Sequence, residues 1–496
     1  MFLYLRMIFI MVVTLYTSRV VLNVLGEVDF GIHNVVAGVV AMFGFLNSSM
    51  SATTQRFISF SLGKGDDKNL SKIFSTCVLT HAIIALLVFA LIESVGLWYF
   101  YHELNAPADR MDAAFWVFQC AAFSTIITVM SIPFNADIIA HEKMSAFAYI
   151  TIVEVSLKLL IVFLLGICSI DKLAMYGILL LVVQVGIFMV YMLYCLRHFK
   201  ESRFKFVFEK TMFKEVSAFA GWNLWGHLAA ILFSQGLNLL LNSFFGPVVN
   251  AARGLANQVD NAVRLFSTNF QMAMNPQITK TYAAGDLQAM HTLVYRSSRF
   301  TYLLLLVLSL PLMIETEPIL QLWLGTVPAW TASFVRIMLG VVILDAVANP
   351  LMISAAATGK VKVYQSVVGG IQLTIVPIAY VVLKMGGNPN SAFIVHLCVC
   401  AVAFVVRFII IRRLIHLSVI NYLTDVFLKC LLVTAISVIL PVALYILMPA
   451  SIINMGIVVI VSMISVITVS YYVGLSSNER RFISDKLRLQ LKRHHK

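Results

Sequence analysis

The chain has 496 residues, of which 60% are hydrophobic and 12% are charged, and its mean hydropathy is +0.91. This composition excludes a soluble globular protein. The apolar runs are about 20 residues long and do not alternate with polar residues, so they predict transmembrane helices rather than β-strands. The formal net charge of +13 does not indicate nucleic-acid binding, because the basic residues lie in short segments between the apolar runs.

The apolar segments predict an all-α polytopic membrane protein with fourteen spans. We place these spans at approximately residues 2–22, 31–62, 72–98, 113–140, 146–168, 172–196, 215–245, 250–283, 291–314, 330–357, 361–384, 391–411, 424–447 and 452–474. The second and the eighth are too long and too polar to face lipid, so we expect both to line a cavity.

The distribution of basic residues predicts the topology. Of the 36 Lys and Arg residues, 25 lie in connections on one side of the membrane, 3 lie on the other side, and 8 lie within spans. Basic loops stay in the cytoplasm, so this asymmetry predicts that both termini are cytoplasmic.

Several markers recur in the second half of the chain. The matched pairs are Gly26 with Gly246, Gly65 with Gly285, Pro133 with Pro350, and Lys143 with Lys360. The first two markers are 39 residues apart in both copies, and the last two are 10 residues apart in both copies. The repeat predicts two six-helix bundles of the same topology, related by an axis along the membrane normal, with a substrate cavity between them.

The repeat also predicts the domain organisation. We divide the chain into an N-terminal six-helix bundle (1–196), a basic cytoplasmic linker (197–214), a C-terminal six-helix bundle (215–414), two additional transmembrane helices (415–475) and a basic cytoplasmic tail (476–496). The tail opens with a Ser-x-x-Glu capping box at Ser476 and Glu479. We expect the linker and the tail to lie on anionic lipid.

The eighth span carries a continuous stripe of polar residues at helical spacing. The stripe consists of Arg253, Asn257, Asp260, Arg264, Ser267, Gln271 and Asn275. Each charge at the bilayer centre costs about 2.5–3.5 kcal/mol, so the stripe is expected to face a water-filled cavity. The alternative is an amphipathic helix that lies flat on the bilayer surface.

Polar residues on four spans are the candidates for binding a substrate. These candidates are Arg19, Arg56, Asn223, Arg253, Asn257, Asp260 and Arg264. A guanidinium matches phosphate oxygens and keeps its charge, so the arginines indicate an anionic, phosphate-bearing ligand. Any one arginine could instead have a structural role, either by pairing with a carboxylate or with carbonyls or by extending to the membrane surface. We favour such a structural role for Arg6 and Arg407, which lie near span ends.

Carboxylates within spans are candidates for proton or sodium coupling. The ion-coupling candidates are Asp137, Glu154 with Lys158, and Asp345. Glu154 and Lys158 are four residues apart, so they are as well suited to neutralise each other. A pairing of Asp345 with Arg336 is weak, because they lie on nearly opposite faces of the helix. Neither a zinc-type cysteine spacing nor a catalytic motif occurs, so we predict no metal site, no other cofactor and no enzymatic activity.

Five short segments resemble the Wzx-type polysaccharide flippases, which belong to the superfamily of multidrug, oligosaccharidyl-lipid and polysaccharide (MOP) exporters. These segments are SRVVLN (18–23), GEVDFGIHN (26–34), QRF (55–57), GKGD (63–66) and PFNA (133–136). The resemblance covers the whole chain, including the layout of six, six and two spans. It implies a pseudo-two-fold arrangement like that of the MATE exporters and of the lipid II flippases.

The resemblance also implies a function. A flippase of this family moves an undecaprenyl-pyrophosphate-linked oligosaccharide, the repeat unit of an O-antigen, capsule or exopolysaccharide, to the outer leaflet of the bacterial inner membrane by alternating access. Its partners would be the lipid-linked oligosaccharide, membrane lipids, a polysaccharide polymerase and glycosyltransferases. Related lipid II flippases use arginines on their first, second and eighth helices, where Arg19, Arg56, Arg253 and Arg264 lie.

Two other functions are open. A cation-coupled multidrug exporter of the MATE type would need an acidic cavity for cationic drugs, whereas the spans here contain 8 basic residues and only 4 acidic ones. A membrane glycosyltransferase or polymerase would need a long outer loop with acid–base residues, and the longest outer connection, about residues 93–112, is short for that purpose.

Overall fold

The computed structural model describes residues 2–41, 44–102, 107–166, 171–203, 209–476 and 479–481. Every regular element within these ranges is helical, so the predicted all-α class is confirmed. Eleven described segments are long and apolar enough to cross a membrane. The eighth predicted span is not among them, because its charged stripe makes it too polar, and the count of fourteen stays a prediction.

The chain forms two compact units. Unit 1 consists of Met1–Leu228 and Asn275–Asp286, and unit 2 consists of Ala229–Met274 and Leu287–Lys496. The chain passes between the units within the helices Lys210–Phe245 and Pro247–Ala283 and again just before the helix Leu287–Ile314. The domain boundaries inferred from the repeat stay predictions.

Unit 1 is built around one long helix. Its helices are α1 (Phe2–Ala41), α2 (Gly44–Lys64), α3 (Asp67–Leu91), α4 (Leu97–His102), α5 (Met111–Ala140), α6 (Met144–Leu165), α7 (Lys172–His198) and the first part of α8 (Lys210–Phe245). Helix α5 packs against α1, α2, α3 and α7. The core between them contains Val88, Phe118 and Leu173, each at most 2% exposed.

Unit 2 contains the rest of α8 and the later helices. These are α9 (Pro247–Ala283), α10 (Leu287–Ile314), α11 (Thr316–Leu324), α12 (Thr331–Ala357), α13 (Val361–Leu373), α14 (Ile375–Lys384), α15 (Pro389–Ile415), α16 (Val419–Tyr422), α17 (Lys429–Leu447) and α18 (Ile452–Val469). The last part of α9 belongs to unit 1. Helix α12 packs against α10 and α15, and the rings of Phe334 and Phe393 stack with centroids 4.3 Å apart.

The repeated glycines share one backbone conformation. Gly26 interrupts α1 with φ 80°, and Gly246 separates α8 from α9 with φ 78°. Gly65 and Gly285 end α2 and α9 with φ 68° and 82°. The N–H after each of these two donates to the carbonyl five residues back, at 3.3 Å and 3.1 Å. This is a Schellman ending, and glycine adopts its positive φ without steric cost.

Candidate functional site

Four of the seven residues in the polar stripe of α9 are buried, and the other three are partly buried. The helix is continuous from Pro247 to Ala283, as the polar periodicity predicts. Arg253, Asp260 and Gln271 are only 6%, 9% and 6% exposed. A helix lying flat on a bilayer would present these side chains to water and headgroups, so their burial argues against that alternative.

The stripe lines a cavity of about 280 Å³ whose lining residues all belong to unit 2. They are Ala230, Phe233, Ser234, Leu237, Arg253, Asn257, Asp260, Arg264, Met338, Val341, Asp345, Gln372, Phe393, His396 and Cys400. Four of the seven predicted substrate-binding residues therefore line one cavity, together with one of the predicted ion-coupling residues. At about 30 Å³ per water molecule, the cavity has room for several waters.

Arg264 bridges two carboxylates in this cavity. Its Nε donates to Asp260 Oδ2 at 2.7 Å, and its Nη1 donates to Asp345 Oδ2 at 2.9 Å. The first contact follows from the four-residue spacing on α9, and the second joins α9 to α12. Arg407 Nη1 lies 3.9 Å from the other oxygen of Asp345. Asp345 therefore lies between two guanidinium groups.

Arg253 has a different environment. Its Nη2 donates to the backbone carbonyl of Ser234 at 2.7 Å and lies 3.3 Å from the hydroxyl of the same residue. Its Nε is buried and has no hydrogen-bond acceptor within the described part of the chain. No ion pair joins Arg253 to any described carboxylate, so its positive charge is uncompensated.

The charges around the cavity do not balance. The lining contains two arginines (Arg253 and Arg264) and two aspartates (Asp260 and Asp345). Arg407 does not line the cavity but lies 3.9 Å from Asp345, and it adds one formal positive charge. An unpaired charge in a buried site is costly, and such sites are stabilised when a group of opposite charge binds. The cavity is therefore suited to an anionic group.

The structure decides between the alternatives weighed for two arginines. Arg407 pairs with a carboxylate rather than extending to a membrane surface, because its side chain is 12% exposed and lies 3.9 Å from Asp345. The pairing of Arg336 with Asp345, which was expected to be weak, does not form, and Arg336 instead lies 3.5 Å from Glu317. Sequence reasoning also missed His396. The spacing of His396, Cys400 and Arg407 by four and seven residues marks one face of α15 and could have indicated it.

The other predicted substrate-binding residues belong to unit 1. The guanidinium of Arg56 lies 4.6, 4.7 and 5.3 Å from the ring centroids of Phe57, Phe60 and Phe219. The amide of Asn223 donates to the hydroxyl of Thr53 at 3.3 Å. The side chain of Arg19 lies outside the described residues.

The remaining ion-coupling candidates also belong to unit 1. Lys158 donates to Glu154 at 2.6 Å, so the predicted self-neutralising pair forms. Asp137 is fully buried at the end of α5 and accepts a hydrogen bond from Ser202 at 2.6 Å.

A histidine follows Asp137 after one helical turn. The two ring nitrogens of His141 lie 3.3 Å from Asp137 and 3.0 Å from Glu201. Burial lowers the pKa of His141, but the hydrogen bonds to these carboxylates outweigh it and raise the pKa to about 9. The ring nitrogens point to opposite sides, so the three residues fit a charged imidazolium between two carboxylates better than ligands converging on one metal ion.

Comparisons with known proteins identify the fold. No protein-family model matches the chain, and no curated protein matches it. Among solved structures, a multidrug resistance MATE family transporter of the MOP superfamily, in an outward-facing conformation, superposes with a TM-score of 0.72 at 12% identity, over 84% of this chain and 95% of that chain.

Two further solved structures match with similar TM-scores, identities and coverage. A MOP superfamily transporter from Pyrococcus furiosus, described by the reverse polarity of its binding pocket, gives a TM-score of 0.69 at 12% identity, over 84% of this chain and 95% of that chain. A MATE structure in the bent conformation gives a TM-score of 0.70 at 12% identity, over 83% of this chain and 93% of that chain. The chain therefore has the fold of the MATE transporters, as the family resemblance predicts.

Proposed function

We propose that the protein is a membrane transporter that flips an undecaprenyl-pyrophosphate-linked oligosaccharide from the cytoplasmic to the outer leaflet by alternating access. The main observation behind the proposal is the buried Arg253, which lines a cavity and has no carboxylate partner among the described residues. The transporter fold supports the general activity, and the guanidinium of Arg253, which has no carboxylate partner among the lining residues, supports the anionic cargo.

The diphosphate is the part of the cargo that Arg253 would bind. A guanidinium offers two parallel donors to phosphate oxygens, and the contact strengthens where water is excluded. Arg253 uses one terminal nitrogen for Ser234, and its Nε has no described acceptor. This arginine therefore retains donors for a ligand.

Arg264 would take part through its contacts with the carboxylates of Asp260 and Asp345. A proton or a sodium ion that neutralised Asp345 would weaken one contact of Arg264 and leave its guanidinium free to bind cargo. This sequence of events would couple the movement of an ion to the binding of the diphosphate. In this scheme Asp345 is the coupling residue, with Asp260 keeping Arg264 in place.

The alternating-access part of the proposal is supported by related folds. MATE structures of this fold exist in outward-facing, bent and straight conformations. We further propose that the protein lies in the bacterial inner membrane with both termini in the cytoplasm. Its partners would be membrane lipids, glycosyltransferases and a polysaccharide polymerase.

A cation-coupled multidrug exporter of the MATE type is the second candidate. The fold match to a multidrug resistance transporter favours it, and so do Asp260 and Asp345, which could pair with a cationic drug. Both carboxylates are already paired with Arg264, however, and the charged lining residue without an ion-pair partner is the basic Arg253. The flippase therefore fits the cavity better.

The test uses a deletion strain complemented with variants, and it measures surface polysaccharide and the amount of transporter. We expect Arg253→Ala to lower export by about tenfold or more at normal protein level, since a charge-assisted hydrogen bond contributes about 1.5–3 kcal/mol. Arg253→Lys keeps the charge but lacks the planar fork, so it should restore export in part. The control is Arg412→Ala, an exposed arginine at the end of α15.

Two outcomes would count against the flippase. Normal export by Arg253→Ala would remove the role assigned to this cavity. A deletion strain that becomes sensitive to cationic dyes while its surface glycan stays intact would favour the multidrug exporter.

A further inference from the structure

A second and larger cavity, of about 700 Å³, lies at another place in unit 2. It opens between the α10–α11 junction and the loop that joins α17 to α18. Its lining residues are Glu315, Pro318, Gln321, Leu322, Tyr445, Met448, Pro449, Ala450, Ser451, Ile452, Asn454, Met455 and Val458. It shares no residue with the cavity of α9, so it is a separate site.

Glu315 is the only acidic residue among these lining residues, and it is 4% exposed. Its backbone carbonyl accepts a hydrogen bond from Ile319 at 3.1 Å. Its carboxylate forms neither a hydrogen bond nor an ion pair with any residue in the described ranges. The carboxylate oxygens are not among the fully buried side-chain atoms without a partner, so they reach the cavity and are available to a cationic ligand.

The arginine that contacts the segment around Glu315 already has other hydrogen-bond partners. Arg336 donates to the carbonyl of Met313 at 3.2 Å and to the hydroxyl of Thr316 at 3.1 Å, and it lies 3.5 Å from Glu317. Arg336 thus binds the residues on either side of Glu315 but not Glu315 itself. The local basic group therefore leaves the negative charge in the cavity uncompensated.

The other lining residues define two surfaces. Tyr445, Ser451 and Gln321 are polar lining residues, and Asn454 donates its side-chain nitrogen to the carbonyl of Pro449 at 2.8 Å. Most of the remaining lining is aliphatic or thioether, with Leu322, Met448, Ile452, Met455 and Val458. Methionines adapt to apolar ligands of different shapes. The cavity therefore combines one negative charge and several acceptors with an apolar wall.

We propose that this cavity is a binding site for a protonated amine with an apolar body, whose ammonium group pairs with Glu315 and whose chain lies against the methionine-containing wall. The ammonium supplies the positive charge and the N–H donors that the carboxylate and the neighbouring oxygens lack. Two sources carry this chemistry: the ethanolamine headgroup of a membrane phospholipid and a soluble cationic amphiphile.

Native mass spectrometry of the detergent-solubilised full chain tests the site with dodecylamine as the probe. We expect one bound dodecylamine per chain, and little binding of dodecan-1-ol, which has the same chain without the charge. Glu315→Gln should weaken dodecylamine binding by about tenfold or more, as expected for loss of a charge-assisted contact. The matched control is Glu317→Gln, because the side chain of Glu317 is 68% exposed, and it should bind dodecylamine like the wild type.

A second variant tests the cavity without changing Glu315, in case Glu315→Gln does not fold. Met455→Trp leaves Glu315 intact but fills the cavity, so it should also reduce binding. Binding by Glu315→Gln equal to that of the wild type would overturn the proposal, and so would equal binding of dodecan-1-ol. The proposal would also be overturned if the wild type bound neither dodecylamine nor phosphatidylethanolamine.

The two sources are separated by reconstitution. The protein is reconstituted into vesicles of phosphatidylcholine with or without phosphatidylethanolamine and is then analysed by native mass spectrometry. One phosphatidylethanolamine retained by the wild type and lost in Glu315→Gln would identify the lipid as the ligand. Dodecylamine binding without lipid retention would identify a soluble amphiphile.

Discussion

Arg299 and Glu479 form a buried ion pair in unit 2, although 180 residues separate them in the sequence. Arg299 Nη2 donates to Glu479 at 2.6 Å, and the two side chains are 5% and 7% exposed. Glu479 also accepts from the backbone N–H of Ser476 at 2.9 Å, which confirms one half of the predicted capping box. The other half is a contact of 3.4 Å from Glu479 N to the hydroxyl of Ser476. One carboxylate therefore caps the start of the tail and fixes it to α10.

We expect Glu479→Ala to destabilise the protein strongly. The change removes the cap and leaves Arg299 as a buried charge with one remaining hydrogen-bond acceptor among the described residues, the carbonyl of Asp425 at 3.1 Å. Breaking a buried ion pair by removing one partner costs about 3–5 kcal/mol. Thermal unfolding of the detergent-solubilised protein should show a large drop in Tm.

The control for this change is Glu209→Ala. Glu209 lies 3.5 Å from Lys72, and both side chains are more than 40% exposed, at 44% and 46%. Exposed pairs contribute about 0–1 kcal/mol, so the Tm should change little. A similar loss in both variants would show that burial does not set the strength of the Arg299–Glu479 pair.

The raised pKa of His141 predicts a pH-dependent stability. The charged ring lies between the carboxylates of Asp137 and Glu201, and its pKa is about 9 against an ordinary value of 6.5. A group with a raised pKa contributes stability that is complete below its unfolded pKa and is lost as the pH rises through its folded pKa. The Tm of the wild type should therefore decrease between about pH 6.5 and pH 9.

Replacing the ring isolates this contribution. His141→Gln cannot become charged, so its Tm should lack this decrease while being lower than that of the wild type at pH 6. The charged groups that face the ring, Asp137 and Glu201, are unchanged in this variant, and Glu142 next in the chain is bound to Lys280 at 2.8 Å. An identical pH profile in the variant would assign the decrease to other groups.

Local spacing accounts for the part of the site that the sequence predicts. The polar stripe of α9 and the pairs Asp260–Arg264 and Glu154–Lys158 follow from residues three or four apart on a helix. The Arg264–Asp345 contact does not, because it joins α9 to α12 through tertiary packing. Helical periodicity fixes the face of a residue but not the helix opposite it.

Tertiary packing decides the placement of two segments that position along the chain leaves open. Arg407, near the end of a predicted span, could pair with a carboxylate or extend to a membrane surface, and packing places it beside Asp345. In the predicted basic linker, Glu201 and Ser202 are 8% and 1% exposed and bind residues at the end of α5. Composition indicates that a segment prefers a membrane surface, whereas a few specific contacts decide whether part of it is buried.

A close helix contact makes Gly63 sensitive to substitution. A Cβ added at Gly63 in α2 would lie 2.5 Å from the carbonyl oxygen of Lys280 and 2.7 Å from its Cα, both backbone atoms. The backbones would have to separate, and overpacking costs about 1–3 kcal/mol. We expect Gly63→Ala to lower the Tm of the purified protein.

The matched control, Gly186→Ala, is expected to change the Tm in the opposite direction. A Cβ added at Gly186 in α7 would meet nothing within 4 Å. Alanine is favoured over glycine in a helix by about 0.8–1.0 kcal/mol, so Gly186→Ala should raise the Tm slightly. A higher Tm for Gly63→Ala than for the wild type would contradict the close approach of residue 63 to residue 280.

The Arg264–Asp345 contact predicts which carboxylate responds to the driving ion. In the proposed cycle, neutralising Asp345 releases one hydrogen bond of Arg264 while Asp260 keeps the other. Asp345→Asn fixes this position in its neutral state, so transport should become slow and should no longer respond to a gradient. Flipping of a fluorescent lipid-linked glycan in proteoliposomes, with and without imposed proton or sodium gradients, measures the response.

Glu154→Gln provides the comparison, because Glu154 is bound to Lys158 on its own helix at 2.6 Å. Glu154 is not one of the carboxylates paired with Arg264, which are Asp260 and Asp345, so the gradient response should be retained. The reverse result, with the response lost in Glu154→Gln and kept in Asp345→Asn, would assign coupling to the pair on α6. The cavity of α9 would then bind cargo without sensing the ion, since only a group that contacts Arg264 can change its availability for the diphosphate.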